Sequence, residues 1–202
     1  MFTGIVEEIG YVKEIQEVSN KAIQLTIDAN LVLEDVKVGD SIAVNGICLT
    51  VTNFNRKYFQ VDVMPETIRS TSLANIEIGS GVNLERSLQP TDRMGGHFVT
   101  GHVDGVGKIE RKQQHQNAVY YEINVPESTI NYFILKGSVA VDGVSLTIFD
   151  VDFEKNLIKI SLIPHTKDVT VLGEKTVGDI VNIECDVLAK HVHQYLENSI
   201  RV

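Results

Sequence analysis

The chain repeats itself at the length of a domain. Ser41–Val51 reads Ser-Ile-Ala-Val-Asn-Gly-Ile-Cys-Leu-Thr-Val, and Ser138–Ile148 reads Ser-Val-Ala-Val-Asp-Gly-Val-Ser-Leu-Thr-Ile; six of the eleven positions are identical. The same offset of 97 residues pairs Thr3-Gly4 with Thr100-Gly101 and Val6-Glu7 with Val103-Asp104. After a slip of two residues, Pro65 and Thr67 match Pro164 and Thr166, Leu73 matches Leu172, Val82-Asn83 matches Val181-Asn182, and Glu85 matches Glu184. Solenoid units run to roughly 20–50 residues, so a period this long marks a duplicated domain. Two similar domains imply two similar sites.

Within each copy the texture is that of short strands. Gln24–Ile27, Tyr58–Val63 and Leu157–Leu162 alternate polar and apolar residues, as half-buried strands do. Val38-Gly39-Asp40 and Val177-Gly178-Asp179 place turn residues ahead of strands. About six strands per copy, without strand–helix alternation, predict a small closed antiparallel barrel. The expected fold is therefore all-β, with two tandem six-stranded antiparallel β-barrels and a C-terminal α-helix. The expected boundaries are 1–97, 98–187 and 188–202. Short helical segments are expected at Pro65–Leu73, from Pro164, and from Pro126, the last carrying Ile130, Phe133 and Ile134 on one face. Leu188, Val192, Tyr195, Leu196 and Ile200 form a narrow stripe at helical spacing. Such a helix packs either on its own domain or on its equivalents in neighbouring subunits, and the second is favoured.

The formal charge of −9 and the lack of a basic run argue against nucleic acid. No apolar stretch reaches the length of a membrane span, and Met-Phe-Thr-Gly-Ile-Val-Glu-Glu lacks the basic start of a signal peptide, so a cytoplasmic location is expected. Cys48 and Cys185 occupy non-equivalent points of the two copies, and a disulfide between them is not expected. No Cys/His spacing suggests a metal site.

Asn45-Gly46 and Asp142-Gly143 are hairpin signals, and a plain hairpin accounts for the glycines. The residues just after these turns are less ordinary. Cys48 is equivalent to Ser145 and Thr50 to Thr147, and strand alternation puts each pair on one face with Leu49 or Leu146 on the other. The pairs suit the lining of a polar pocket; a buried small cysteine is the alternative. Gly95–Asp104 carries His97 and His102, which favour a binding or acid–base role. His165 follows Pro164, where the first copy has Glu66. His115, His191 and His193 are expected to be solvated. Lys136 and Asp186 read as surface charges.

The opening Met-Phe-Thr-Gly-Ile-Val-Glu, Ser41–Val51, Gly95–Asp104, Ser138–Ile148 and Ile163-Pro164-His165-Thr166 together resemble the riboflavin synthases, flavin-forming enzymes built from two lumazine-binding barrels. The resemblance covers essentially the whole chain. It implies a homotrimer joined through the C-terminal helix, with each active site formed between the N-barrel of one subunit and the C-barrel of the next. It implies dismutation of two 6,7-dimethyl-8-ribityllumazine molecules, one giving a four-carbon unit to the other, to yield riboflavin and 5-amino-6-ribitylaminouracil. No metal or organic cofactor is implied, and the lumazine synthase shell is a possible partner. The alternative within the same fold is a non-catalytic lumazine or flavin binder.

By the family pattern the pocket segments are Gly4, Ile5 and Val6; Cys48, Leu49 and Thr50; Asp62, Val63, Met64, Pro65, Glu66 and Thr67; and Gly101, His102 and Val103. In the second copy they are Lys136; Ser145, Leu146 and Thr147; and Ser161, Leu162, Ile163, Pro164, His165 and Thr166. His102 is the expected base for the acidic methyl group, and Cys48 the nucleophile or a polar contact, thiolate being the reactive form. Ser41, Thr50 and Thr67 add hydroxyls to the first pocket. Lys136, Ser145, Thr147 and Thr166 serve the second, where Lys136 stabilises an anionic ring form and Asp186 orients a neighbour. Holding two substrates face to face contributes about 7–11 kcal/mol to the lowering of the barrier.

Overall fold

A computed structural model gives the architecture; it describes residues 1–19 and 21–200, without the side chain of Ile200. Twelve strands form two closed antiparallel barrels. The N-barrel contains β1 (Glu8–Ser19), β2 (Ala22–Asp28), β3 (Ser41–Val44), β4 (Ile47–Phe54), β5 (Tyr58–Val63) and β6 (Gly81–Arg86). The C-barrel contains β7 (Gly105–His115), β8 (Ala118–Asn124), β9 (Ser138–Val141), β10 (Val144–Asp152), β11 (Leu157–Leu162) and β12 (Ile180–Cys185). Around the N-barrel the order is β1-β2-β5-β4-β3-β6, and the C-barrel repeats it strand for strand.

Alternation decides which side chains fill each barrel. Leu25, Ile27, Leu49, Val51, Phe59, Val61 and Val63 point inward in the first, and Tyr121, Ile123, Leu146, Ile148, Ile158, Ile160 and Leu162 in the second. Each fully buried aliphatic side chain contributes about 1.5–3 kcal/mol, so each barrel has a core of its own. Closure needs local bends, and both barrels place them alike. Register shifts at Val12/Glu14 and Val51/Asn53 recur at Ile109/Arg111 and Ile148/Asp150.

The helices are α1 (Pro65–Ser70), α2 (Pro164–Val169) and α3 (Val187–Ile200), with proline in the first turn of α1 and α2. The segment after Pro126 is shorter than expected. Only Ile130–Tyr132 winds, as a single 3-10 turn; Ile130 and Phe133 are buried, while Ile134 is exposed. Asp186 is half-buried rather than a free surface charge, and Oδ1 accepts from Leu188 N at 2.9 Å as the cap of α3. His193 also departs from expectation, packing edge-on against Tyr132 at 5.0 Å between ring centroids. The expected tail, 188–202, includes Arg201 and Val202, which lie outside the described residues. Both cysteines are free thiols.

Candidate functional site: two pockets with exchanged straps

Equivalent residues of the two copies face one another, so the barrels are related by a local two-fold axis. Phe2 and Val99 form a two-residue antiparallel bridge. Gly46 and Gly143, both at left-handed φ in their hairpin turns, are packed so closely that a Cβ on Gly46 would lie 2.7 Å from Gly143 N. The Asn-Gly and Asp-Gly turns are hairpins, as read from sequence, and their glycines are also required by this contact. Flanking the turns, Asn83 Nδ2 donates to Asp142 O and Asn182 Nδ2 to Asn45 O, each at 2.9 Å.

The axis exchanges a strap between the barrels. Residues 3–6 lead into β1, yet Gly4 O accepts Ser145 N of the C-barrel at 2.8 Å, and Val6 packs on the C-barrel core. Residues 100–103 lead into β7, yet Gly101 O accepts Cys48 N of the N-barrel at 2.8 Å, and Val103 packs on the N-barrel core. Gly4–Val6 therefore belongs with Ser145, and Gly101–Val103 with Cys48. The straps lie close: a Cβ on Gly101 would fall 2.5 Å from Cys48 Cβ, and both strap glycines hold positive φ.

In the first site Cys48 and Thr50 face outward on β4, opposite Ala43 and Ser41 of β3. Asp62 lies on the outer side of β5 and accepts from Gln24 Nε2 at 3.0 Å. Met64, at the entrance to α1, is 55% exposed, and its counterpart Ile163 is 59% exposed. Large apolar side chains held open at matching points of both copies suit a flat aromatic ligand. The strap sets His102, exposed, one residue from the Cys48 contact.

In the second site Ser145 and Thr147 face outward on β10. Lys136, exposed in a left-handed turn, bonds through its amide to Ile148 O at 2.7 Å, beside Thr147. Ser161 lies on the outer side of β11, Ile163 is the N-cap residue of α2, and Pro164, His165 and Thr166 begin that helix. In contrast, Leu49, Val63, Leu146 and Leu162 point into the cores, so these four offer a ligand only backbone.

The sequence gives His97 and His102 one shared expectation of a binding or acid–base role and assigns only His102 to a pocket; the structure places His97 at the second site. His97 Nδ1 lies 2.7 Å from Ser145 Oγ, and its Nε2 is buried without a partner among the described residues. Burial pushes its pKa below the ordinary histidine value, against a smaller opposing pull from Asp186. Held neutral, the ring is suited to accept the Ser145 proton, a base beside a nucleophile. The signal was there, two histidines in one Gly-rich segment, but only the fold shows which of them is buried on a hydroxyl.

A cleft of about 930 Å³ runs beside the N-barrel, lined by Ser41, Ile5, Glu7, Asp35, Arg86 and Arg93 among others. It does not include Cys48, Thr50 or His102. Arg86 holds Glu7 and Asp35 there, and these carboxylates raise its pKa further. The outward-facing residues of the two expected pockets thus lie on the outer faces of the barrels, and the cleft reaches the expected set at Ile5 and Ser41.

Comparison with known proteins agrees with this geometry. The family profile "Lumazine binding domain" matches residues 3–87 and again 100–186. Riboflavin synthase of Bacillus subtilis (strain 168) is 51% identical over 98% of this chain and 91% of its own length. Riboflavin synthase of Schizosaccharomyces pombe is 42% identical over 98% and 94%. LumP complexed with 6,7-dimethyl-8-(1'-D-ribityl) lumazine superposes with a TM-score of 0.81 at 26% identity, over 92% of this chain and 99% of that one. With two matched domains that exchange their straps, and relatives of this identity over nearly its full length, the chain belongs to the riboflavin synthase family of lumazine-binding proteins.

Proposed function

We propose that the chain converts two molecules of 6,7-dimethyl-8-ribityllumazine into riboflavin and 5-amino-6-ribitylaminouracil. One observation carries this reading: the chain has two pockets of the same build but unlike equipment. One holds a thiol, Cys48, beside the strap of His102; the other holds Ser145 against His97. A reaction in which two copies of one substrate play different parts needs such a pair. His102 takes a proton from the acidic methyl group of one molecule. The other is activated as donor by addition of a nucleophile, for which Cys48, Ser145 and a water molecule are the candidates. Thr50, Thr67, Thr147 and Thr166 supply hydroxyls, Lys136 supports an anionic ring, and Asp186 acts on His97 through its field.

The open pockets need a cover. Leu188, Val192, Tyr195 and Leu196 are 54–74% exposed along α3, an apolar stripe suited to clamping subunits. This supports a homotrimer in which the N-barrel of one chain closes on the C-barrel of the next. We place it in the cytoplasm; the lumazine synthase shell is the further partner that family resemblance implies.

The likeness to LumP favours a second reading, a non-catalytic binder. Incubation with the lumazine separates the two. One riboflavin formed per two lumazines consumed, with the aminouracil as second product, supports the enzyme; bound, unchanged lumazine supports the binder.

A further inference from the structure

Two buried carboxylates of the barrel walls are used by neither barrel core. Glu85 on β6 and Glu184 on β12 are 7% and 2% exposed, and they occupy equivalent positions opposite Ala43 and Ala140. Such a burial is costly unless the charge is well bonded. Glu184 accepts Thr100 N and Thr100 Oγ1, both at 2.6 Å, and Gly101 N at 3.0 Å. Glu85 does the same with Thr3 N at 2.7 Å, Thr3 Oγ1 at 2.9 Å and Gly4 N at 3.0 Å. Burial raises the Glu85 pKa, against the lowering effect of these same bonds. Each carboxylate therefore gathers the donors of one strap, and each strap carbonyl then takes the amide of a pocket residue in the other barrel.

We propose that Glu184 and Glu85 are positioning residues with crossed effect: Glu184, built into the C-barrel, sets Gly101–Val103 over Cys48 of the N-barrel, and Glu85, built into the N-barrel, sets Gly4–Val6 over Ser145 of the C-barrel. The chain of contacts is continuous. Glu184 fixes Thr100 and Gly101, Thr100 Oγ1 accepts His102 N at 3.3 Å, and Gly101 O accepts Cys48 N at 2.8 Å. Charge matters as well as shape. The carboxylate accepts from three donors; an amide in its place offers one oxygen, and its NH2 is turned toward the Gly101 N–H. That donor would be left buried and unpaired, which opens the strap.

This proposal deepens the two-pocket reading, and its test does not depend on turnover. Cys48 is partly accessible beneath the strap and Cys185 is buried, so alkylation by iodoacetamide, located by peptide mass mapping, reports the strap over Cys48. Glu184→Gln should speed Cys48 alkylation at least about fivefold over both wild type and Glu85→Gln, as expected from loss of a charge-assisted bond. In turnover, Glu184→Gln should lower kcat while the melting temperatures of the two variants fall together. Should Glu184→Gln fail to fold, Thr100→Val removes one donor and leaves the carboxylate, and it should speed alkylation in the same direction by less. Equal alkylation in wild type and Glu184→Gln, or in wild type and Thr100→Val where only the latter folds, overturns the proposal. So does equal acceleration in both glutamate variants, which would mean general loosening. A wild-type chain that makes no riboflavin would contradict the proposed reaction while leaving the alkylation result to decide the positioning.

Discussion

Ser145 Oγ and His97 Nδ1 lie 2.7 Å apart although the residues are 48 positions apart in the chain. Among the described residues no side-chain hydrogen bond reaches the Cys48 thiol, so the two equivalent positions differ in partner as well as in element. If His97 serves as the base for Ser145, His97→Gln should lower kcat by about a hundredfold, within the usual range for a general base, with a smaller change in KM. Steady-state kinetics would show it, and a rate within about twofold of wild type would make the contact structural.

The same histidine gives stability a pH dependence of known sign. Burial lowers its folded pKa, so as pH falls through the unfolded value of about 6.5 the unfolded chain takes up the proton first. Folded stability is then present at higher pH and declines below about pH 6.5. Urea unfolding across this window should show a shallower decline for His97→Gln than for wild type.

Gly46 and Gly39 offer a matched test of the barrel interface. Both hold positive φ, at 78° and 96°, but a Cβ on Gly39 meets nothing within 4 Å, whereas one on Gly46 meets the Gly143 backbone. Gly39→Ala should cost about 1–2 kcal/mol for the left-handed backbone alone. Gly46→Ala should cost clearly more in urea unfolding, because the neighbour is main chain and cannot turn aside. Equal losses would mean that the turns do not hold the barrels together.

Deleting the chain from Val187 onward should leave both barrels folded, since each has its own core, and break the trimer proposed above into smaller species with poor activity. Sedimentation velocity measures the first and riboflavin formation the second. A truncated chain that still sediments as a trimer removes α3 as the clamp.

Much of this was legible from sequence, for a physical reason. A barrel wall forces alternation, so β5 and β11 declared themselves, and duplication doubled every signal. Cys48 and Thr50 do share an outer face, as alternation requires. What stayed hidden depends on contacts far apart in the chain. The register shifts at Val51/Asn53 and Ile148/Asp150 leave no compositional mark. Glu85 and Glu184 read as ordinary polar residues at strand ends until the straps fold over them. The family pattern puts Gly4–Val6 beside the segments of the first copy, while the local two-fold axis carries it to Ser145 of the second.

The exchange of straps changes what an isolated half should do. Residues 1–97 lack Gly101–Val103, which covers Cys48 in the whole chain. The two-fold relation offers a substitute, because Gly4 of a second copy can take the place of Gly101. The fragment should therefore bind riboflavin only as a dimer, with little synthase activity. Fluorescence titration alongside sedimentation would show this, and tight binding by a monomer would contradict it.

The most direct measurement of paired, unlike pockets is complementation between two damaged chains. Cys48→Ala and Ser145→Ala chains, each of low activity alone, are mixed by unfolding and refolding, and mixed oligomers are isolated through two different affinity tags. If each active site joins the N-barrel of one chain to the C-barrel of another, some interfaces in the mixture carry two intact pockets. The isolated mixed oligomers should then form riboflavin well above the rate of either parent. Mixed oligomers no more active than the parents would contradict the pairing of pockets across chains.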